Sequence, residues 1–149
     1  MGGSHINDQN GLTLIELIVV LAIIVIIGAI LIPNFLVTTD RARLKSDIQS
    51  AKVLQSAVTL YHAEQGDSLD SKDIDTILEI LYDSGYVKKT DKMDTQTAGA
   101  VWAYEPISPG GDKNILVDIT TGVDSRIKTE IYQNLSEEEQ KWVKGGINK

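Results

Sequence analysis

Residues 12–32 read LTLIELIVVLAIIVIIGAILI, and Glu16 is the one charged side chain between residue 12 and Asp40. From Leu17 to Ile32 every residue is apolar or glycine. With its apolar flanks, this run exceeds the ~20 residues that a helix needs to cross about 30 Å of hydrocarbon. A carboxylate in hydrocarbon costs roughly 2.5–3.5 kcal/mol on insertion scales. The pattern therefore predicts a membrane-spanning helix whose single acid needs a partner.

Three simpler interpretations of the apolar run are disfavoured. A cleaved signal peptide has a shorter apolar region, a basic stretch before it and a small-residue cleavage site after it, whereas Pro33-Asn34-Phe35 follows this run. An ordinary signal anchor explains the length of the run but not Glu16. A buried core helix is disfavoured because a chain of 149 residues has too little remaining sequence to enclose such a segment.

Pro33 and Gly28 mark a predicted weak point in this helix. Proline inside a helix removes one backbone hydrogen bond and clashes with the preceding turn. The carbonyl left free is that of Ala29, next to Gly28. In lipid such a break has to be satisfied by neighbouring helices or water.

After Pro33 the apolar residues recur at steps of three and four, which is the pattern of an amphipathic helix. The stripe consists of Leu44, Ile48, Ala51, Leu54, Ala57, Val58 and Tyr61. Polar residues, among them Arg41, Asp47 and Lys52, are assigned to the other faces. Gly66 is a suitable C-terminal cap, so one helix is predicted from the membrane to about Gln65.

The rest of the chain is acidic and lacks cysteine. The formal net charge is −7, and acids outnumber bases after Gly66. A nucleic-acid partner is not expected, because phosphate binding needs a basic face. Without cysteine there is no disulfide and no thiolate metal site.

Short elements are predicted beyond residue 66. Ser71 is a candidate N-cap for a short helix that ends at Gly85. Val101–Tyr104 and Asn114–Thr120 are predicted to pair as an antiparallel hairpin with a long turn. Ser136-Glu137-Glu138-Glu139 is a capping box that predicts a last helix reaching about Lys144. Ile127 and Ile131 indicate a further element of undetermined type.

No residue set predicts catalysis, a cofactor or a metal. A lone helical histidine such as His62 is far more often a packing or surface residue than a catalyst. The acids of the connector lack the spacing of a calcium loop and are interpreted as solvated, and Asp112 is assigned to a turn. These connector acids are Asp67, Asp70, Asp73 and Asp75. The aromatic residues Trp102, Tyr104 and Trp142 are expected to pack rather than to bind a ligand.

The stretch from Gly11 to Leu17, GLTLIEL, resembles the processing site of type IV pilins and pseudopilins. In that family a prepilin peptidase cuts after the glycine and methylates the new terminal residue, here Leu12. The family's glutamate is the fifth residue of the mature chain, as Glu16 is when counted from Leu12. Its proline at mature position 22 corresponds to Pro33. One feature departs from the family: leaders are usually basic, and Met1–Gly11 contains no lysine or arginine.

The resemblance implies how Glu16 acts. Cleavage after Gly11 leaves a free amine on Leu12, and an α-amino group has a pKa near 7.7–8.0. Glu16 of an incoming subunit would pair with the amine of Leu12 in its neighbour and set the axial register. The helix break at Gly28 and Pro33 would let the helix extend in the filament.

The sequence therefore predicts an α+β, pilin-like fold: a long N-terminal helix packed on a small antiparallel β-sheet, with short additional helices. The expected divisions are a leader (1–11), a membrane and filament-core half-helix (12–39), an amphipathic half-helix (40–66) and a soluble head (67–149).

The predicted function is that of a structural subunit of a type IV pilus, held in the membrane and then assembled into a surface filament. Two alternatives stay open: a pseudopilin of a type II secretion or DNA-uptake system, and a single-pass anchored binding module that does not polymerise. No enzyme activity is predicted. The expected partners are other copies of the chain, the prepilin peptidase, the inner-membrane pilus assembly machinery and, before assembly, the lipid bilayer.

Overall fold

The computed structural model describes residues 13–66, 68–88, 94–107 and 110–147, apart from the side chains of Pro33 and Asn34. The elements in chain order are α1 (Leu14–Gln65), α2 (Ile74–Asp83), β1 (Val101–Pro106), β2 (Lys113–Asp118), a π-helical turn (Ile127–Ile131), α3 (Glu137–Gln140) and β3 (Val143–Lys144). The contacts divide the chain into an N-terminal unit, Met1–Leu36, and a C-terminal unit, Val37–Lys149. The predicted fold class, a long apolar N-terminal helix followed by a small sheet and short helices, is confirmed.

In the N-terminal unit, α1 exposes its apolar side chains. Every residue from Leu14 to Ile32 is exposed except the half-buried Gly28. Among the described residues, α1 is the one helix long and apolar enough to span a membrane, by length and composition alone. α1 is helical through Gly28 and Pro33.

The core of the C-terminal unit forms between the amphipathic part of α1, α2 and the sheet. The predicted stripe of α1 is buried from Leu44 to Val58, and Tyr61 packs against it. Its partners include Ile77 and Leu81 of α2 and Ile115 and Val117 of β2. Gly66 follows α1 with a φ of 65°, the left-handed conformation predicted for a cap.

The sheet has three strands in the order β1-β2-β3. β1 and β2 form the predicted antiparallel hairpin, with Val101 opposite Asp118 and Pro106 opposite Lys113. β3 adds a short parallel pairing to β2, in which Val117 lies opposite Val143. This parallel edge was not predicted, because two residues are too few to show a strand pattern.

Three local predictions were wrong. The N-cap of α2 is Asp73, whose side chain accepts the Thr76 N–H, and not Ser71. α3 does begin at the Ser136 capping box, but it ends at Gln140 instead of about Lys144. The chain leaves the helix because the carbonyls of Trp142 and Lys144 accept the N–H groups of Val117 and Ile119, each at 2.9 Å.

The third error concerns Asp47, which the sequence assigned to a polar face of α1. Its side chain is 1% exposed. Its two carboxylate oxygens accept the N–H groups of Gln96 at 2.7 Å and Thr97 at 2.8 Å. A buried carboxylate is tolerated where hydrogen bonds replace its hydration. Asp47 therefore anchors the loop that leads into β1.

Candidate functional site at the start of α1

The start of α1 is capped by reciprocal hydrogen bonds between Thr13 and Glu16. The Thr13 N–H and hydroxyl both donate to Glu16 Oε2 at 2.8 Å, and the Glu16 N–H donates to Thr13 Oγ1 at 3.3 Å. This arrangement is a capping box, which satisfies N–H groups that have no partner inside the helix. In the single chain, the partner of the Glu16 carboxylate is therefore its own helix N-terminus.

Sequence reasoning missed Thr13 as a functional residue. The pattern Thr-x-x-Glu before an apolar run is a recognised N-terminal helix signal, and Thr13-Leu14-Ile15-Glu16 fits it. The interpretation of Glu16 as an acid in hydrocarbon accounts for its charge but not for this cap. The negative charge also lies in the first turn of α1, where it interacts favourably with the helix dipole.

The other predicted site residues of this region are only partly described. Gly11 and Leu12, the predicted cleavage and methylation residues, lie outside the described residues. A Cβ added at Gly28 would have nothing within 4 Å, so no close contact in this chain requires a glycine there. The roles assigned to Gly11, Leu12, Glu16, Gly28 and Pro33 stay predictions.

The described part of the C-terminal unit holds several polar contacts. Within the described ranges, no group of three or more His, Asp or Glu side chains is placed to hold a metal ion. His62 Nε2 accepts the Leu69 N–H at 3.0 Å. Asp70 accepts the Tyr104 hydroxyl at 2.9 Å, and its carbonyl accepts Lys113 Nζ at 2.5 Å.

The electrostatics of these groups follow from their contacts. Hydrogen bonds from Ser68 and Tyr104 lower the pKa of Asp70. Burial, together with the hydrogen bond to Asp70, raises the pKa of Tyr104 above its ordinary value. Trp102 and Tyr104 are buried, as predicted for packing residues, and Trp142 lies under the Lys52 ammonium at 5.7 Å.

Ion pairs join α1 to α3 and to Arg126, which precedes the π-helical turn. Lys45 Nζ lies 2.9 Å from Glu139, and Lys52 Nζ lies 3.2 Å from Glu138. Asp40 pairs with Arg126 at 3.3 Å. The pKa of Glu139 is lowered to about 2 by the Ser136 N–H of the capping box and by Lys45. These contacts fix the C-terminal segment to the amphipathic part of the helix.

An exposed apolar helix whose first turn carries one capped acid is the structure expected of a membrane-held segment. Comparison with known proteins gives a family that this segment matches. Residues 6–32 match the family described as the prokaryotic N-terminal methylation motif. The predicted resemblance to type IV pilins and pseudopilins is thus confirmed over this part of the chain.

Three relatives each match about two fifths of the chain. The prepilin peptidase-dependent protein A of Clostridium perfringens is 43% identical over 58 residues, which is 39% of this chain and 41% of that protein. A fimbrial protein of Neisseria meningitidis is 41% identical over 59 residues, 40% of this chain and 35% of its own length. The type IV major pilin protein PilE of Neisseria gonorrhoeae is 41% identical over 58 residues, 39% of this chain and 35% of its own length.

The matched stretch therefore spans about two fifths or less of each of these relatives. No solved structure matches the chain.

Proposed function

We propose that the chain is a structural subunit of a type IV pilus, held in the membrane, cut after Gly11, methylated at Leu12 and polymerised through its N-terminal helix. The observation that carries the proposal is the methylation motif in front of an exposed apolar helix. The relatives named as fimbrial protein and major pilin support the proposal.

The exposed helix requires two successive environments. An apolar surface of this length is unfavourable in water, by about 25 cal/mol for each Å². In the membrane, lipid covers it. In a filament, the helices of neighbouring copies cover it by van der Waals packing. The partners are accordingly the bilayer, the prepilin peptidase, the inner-membrane assembly machinery and further copies of the chain.

Glu16 acts in both environments in this proposal. Before assembly, the Glu16 carboxylate caps its own helix by accepting hydrogen bonds from the Thr13 N–H and hydroxyl. These hydrogen bonds offset part of the free-energy cost of placing a charge at the membrane edge. During assembly, the amine that cleavage creates on Leu12 of a neighbour offers a cationic partner. A charged pair formed where the dielectric constant is low favours one register between the two helices.

Gly28 and Pro33 have a proposed role in the filament alone. The single chain keeps a continuous helix there. Because Pro33 has no N–H, the Ala29 carbonyl is the weakest point of the hydrogen-bond ladder, and packing between subunits can open it. Hydrogen exchange on assembled filaments tests this: fast exchange is expected between Gly28 and Leu36, and full protection of those amides would contradict the proposal.

The experiment is expression in a host that carries a prepilin peptidase, followed by intact-mass measurement of the membrane-extracted protein and electron microscopy of the cells. A chain that begins at methylated Leu12, together with long surface fibres, is expected. Processing without long fibres would point to a pseudopilin. An intact Met1 terminus without fibres would point to an anchored module and overturn the proposal.

Two variants test the charge. Glu16→Ala is expected to insert into the membrane and to be processed but to yield few or no filaments. Glu79→Ala is the matched control, because Glu79 is an exposed acid on α2, in the C-terminal unit. Equal filament yields from both variants would contradict the pairing role of Glu16.

A further inference from the structure

We propose that His62 is a pH-sensitive latch on the α1–α2 connector, defined as residues 66 and 68–73. His62 lies in the last turn of α1 and Leu69 lies in the connector. The Leu69 N–H donates to His62 Nε2 at 3.0 Å, and the Leu69 side chain is fully buried. The imidazole thus holds the connector against the end of α1.

The contact specifies the protonation state of the ring. In a neutral imidazole one nitrogen carries the proton and the other accepts a hydrogen bond. Because Nε2 accepts the Leu69 N–H, the proton is on Nδ1. In the doubly protonated ring both nitrogens are donors, so Nε2 would face another N–H and the bond could not form. The bond therefore requires the neutral ring and is lost when acid protonates Nε2.

Charged and polar side chains surround the ring. His62 lines a cavity of about 230 Å³ with two carboxylates, one ammonium and three neutral polar side chains. They are Asp70, Asp112, Lys113, Gln55, Thr59 and Tyr104. Hydrogen bonds from Ser68 and Tyr104 lower the pKa of Asp70, so its carboxylate is ionised at pH 5 and above. An anionic carboxylate therefore lines the same cavity as the ring at both pH values of the test below.

The change stays local, because other contacts hold the remainder of the connector. The Tyr104 hydroxyl donates to Asp70, and Lys113 Nζ donates to the Asp70 carbonyl. Neither contact needs a neutral histidine. Acid therefore releases the Leu69 amide and loosens the packing of its side chain while the sheet stays intact. The latch belongs to the C-terminal unit and does not depend on filament formation.

Hydrogen exchange of the full chain in detergent micelles tests the latch. The protection factor of the Leu69 amide, corrected for the pH dependence of intrinsic exchange, is measured at pH 7.5 and 5.0. It is expected to fall roughly tenfold at the lower pH, the size expected for loss of one hydrogen bond. The amides of Ile77 in α2 and Ile115 in β2 serve as internal references and are expected to keep their protection.

His62→Gln is the matched variant, because the glutamine side-chain oxygen accepts a hydrogen bond but does not titrate. Its Leu69 protection is expected to be the same at both pH values. Unchanged protection in the wild type, or the same loss in His62→Gln, would overturn the proposal. The ¹⁵N spectrum of the wild-type ring at pH 8 is decisive even if the variant fails to fold: Nδ1–H supports the latch, and Nε2–H refutes it.

Discussion

Thr13 and Glu16 satisfy each other at the first turn of α1: the threonine N–H and hydroxyl both reach the carboxylate at 2.8 Å. The acid that stands out in the apolar sequence is therefore already bound within its own chain. If Glu16 pairs with the amine of a neighbouring copy, its carboxylate exchanges the Thr13 donors for that amine. The capping and the charge of Glu16 are separable by substitution.

Glu16→Gln is expected to keep the helix start and to lose assembly. Glutamine serves in a capping box but carries no charge. The Thr13 amide should stay protected from exchange in Glu16→Gln and lose protection in Glu16→Ala, while both variants give few filaments. Exchange in micelles and filament yield by microscopy measure the two effects. Wild-type yield from Glu16→Gln would mean that capping, and not charge, is what assembly requires.

Asp47→Ala is expected to destabilise the C-terminal unit by roughly 2–4 kcal/mol, because the N–H groups of Gln96 and Thr97 lose their acceptor. Asp47→Asn keeps one acceptor oxygen and should cost less. Urea unfolding of the full chain in micelles, followed by tryptophan fluorescence, gives both values. Asp75→Ala, at an exposed acid of α2, is the control and should change little. A similar small effect at residue 47 would contradict the anchoring role.

Acid is expected to weaken the attachment of α3 to α1 through Glu139. Its pKa falls from 4.5 to about 2 because the Ser136 N–H and Lys45 hydrogen-bond to the carboxylate. A folded pKa below the unfolded one contributes stability that is present above about pH 4.5 and is lost as the pH falls toward 2. The difference in unfolding free energy between wild type and Glu139→Gln should therefore shrink between these pH values. A difference independent of pH would contradict the assignment.

Gly99→Ala is expected to be more damaging than Gly110→Ala. Both glycines have positive φ, 81° and 78°, which costs an alanine about 1–2 kcal/mol. At Gly99 an added Cβ would also overlap the Gly122 carbonyl oxygen, whereas at Gly110 there is nothing within 4 Å. The difference between the melting temperatures of the two variants measures the effect of the overlap with Gly122, because the cost of a positive φ is common to both alanines. Equal melting temperatures would show that the loops separate easily.

Much of α1 was predictable because its signals are local and repeated. The apolar run, the spacing from Leu44 to Tyr61 and the cap at Gly66 each depend on neighbouring residues, and the helix ends where they indicate. The hairpin of β1 and β2 was predictable for the same reason, since both strands are rich in apolar residues and separated by turn residues. The methylation motif is likewise a contiguous pattern.

The tertiary structure decided what depends on residues far apart in the chain. Asp47 looks like a surface acid until a loop about fifty residues later supplies two N–H groups. Val143 and Lys144 follow α3 closely enough to be predicted as its last turn. They form β3 instead, because N–H groups at the edge of β2 donate to the carbonyls of Trp142 and Lys144. The role of His62 likewise depends on where the connector places Leu69. Periodicity specifies which residues face a core, whereas only the folded chain specifies which polar groups meet there, because each such hydrogen bond needs both partners in position.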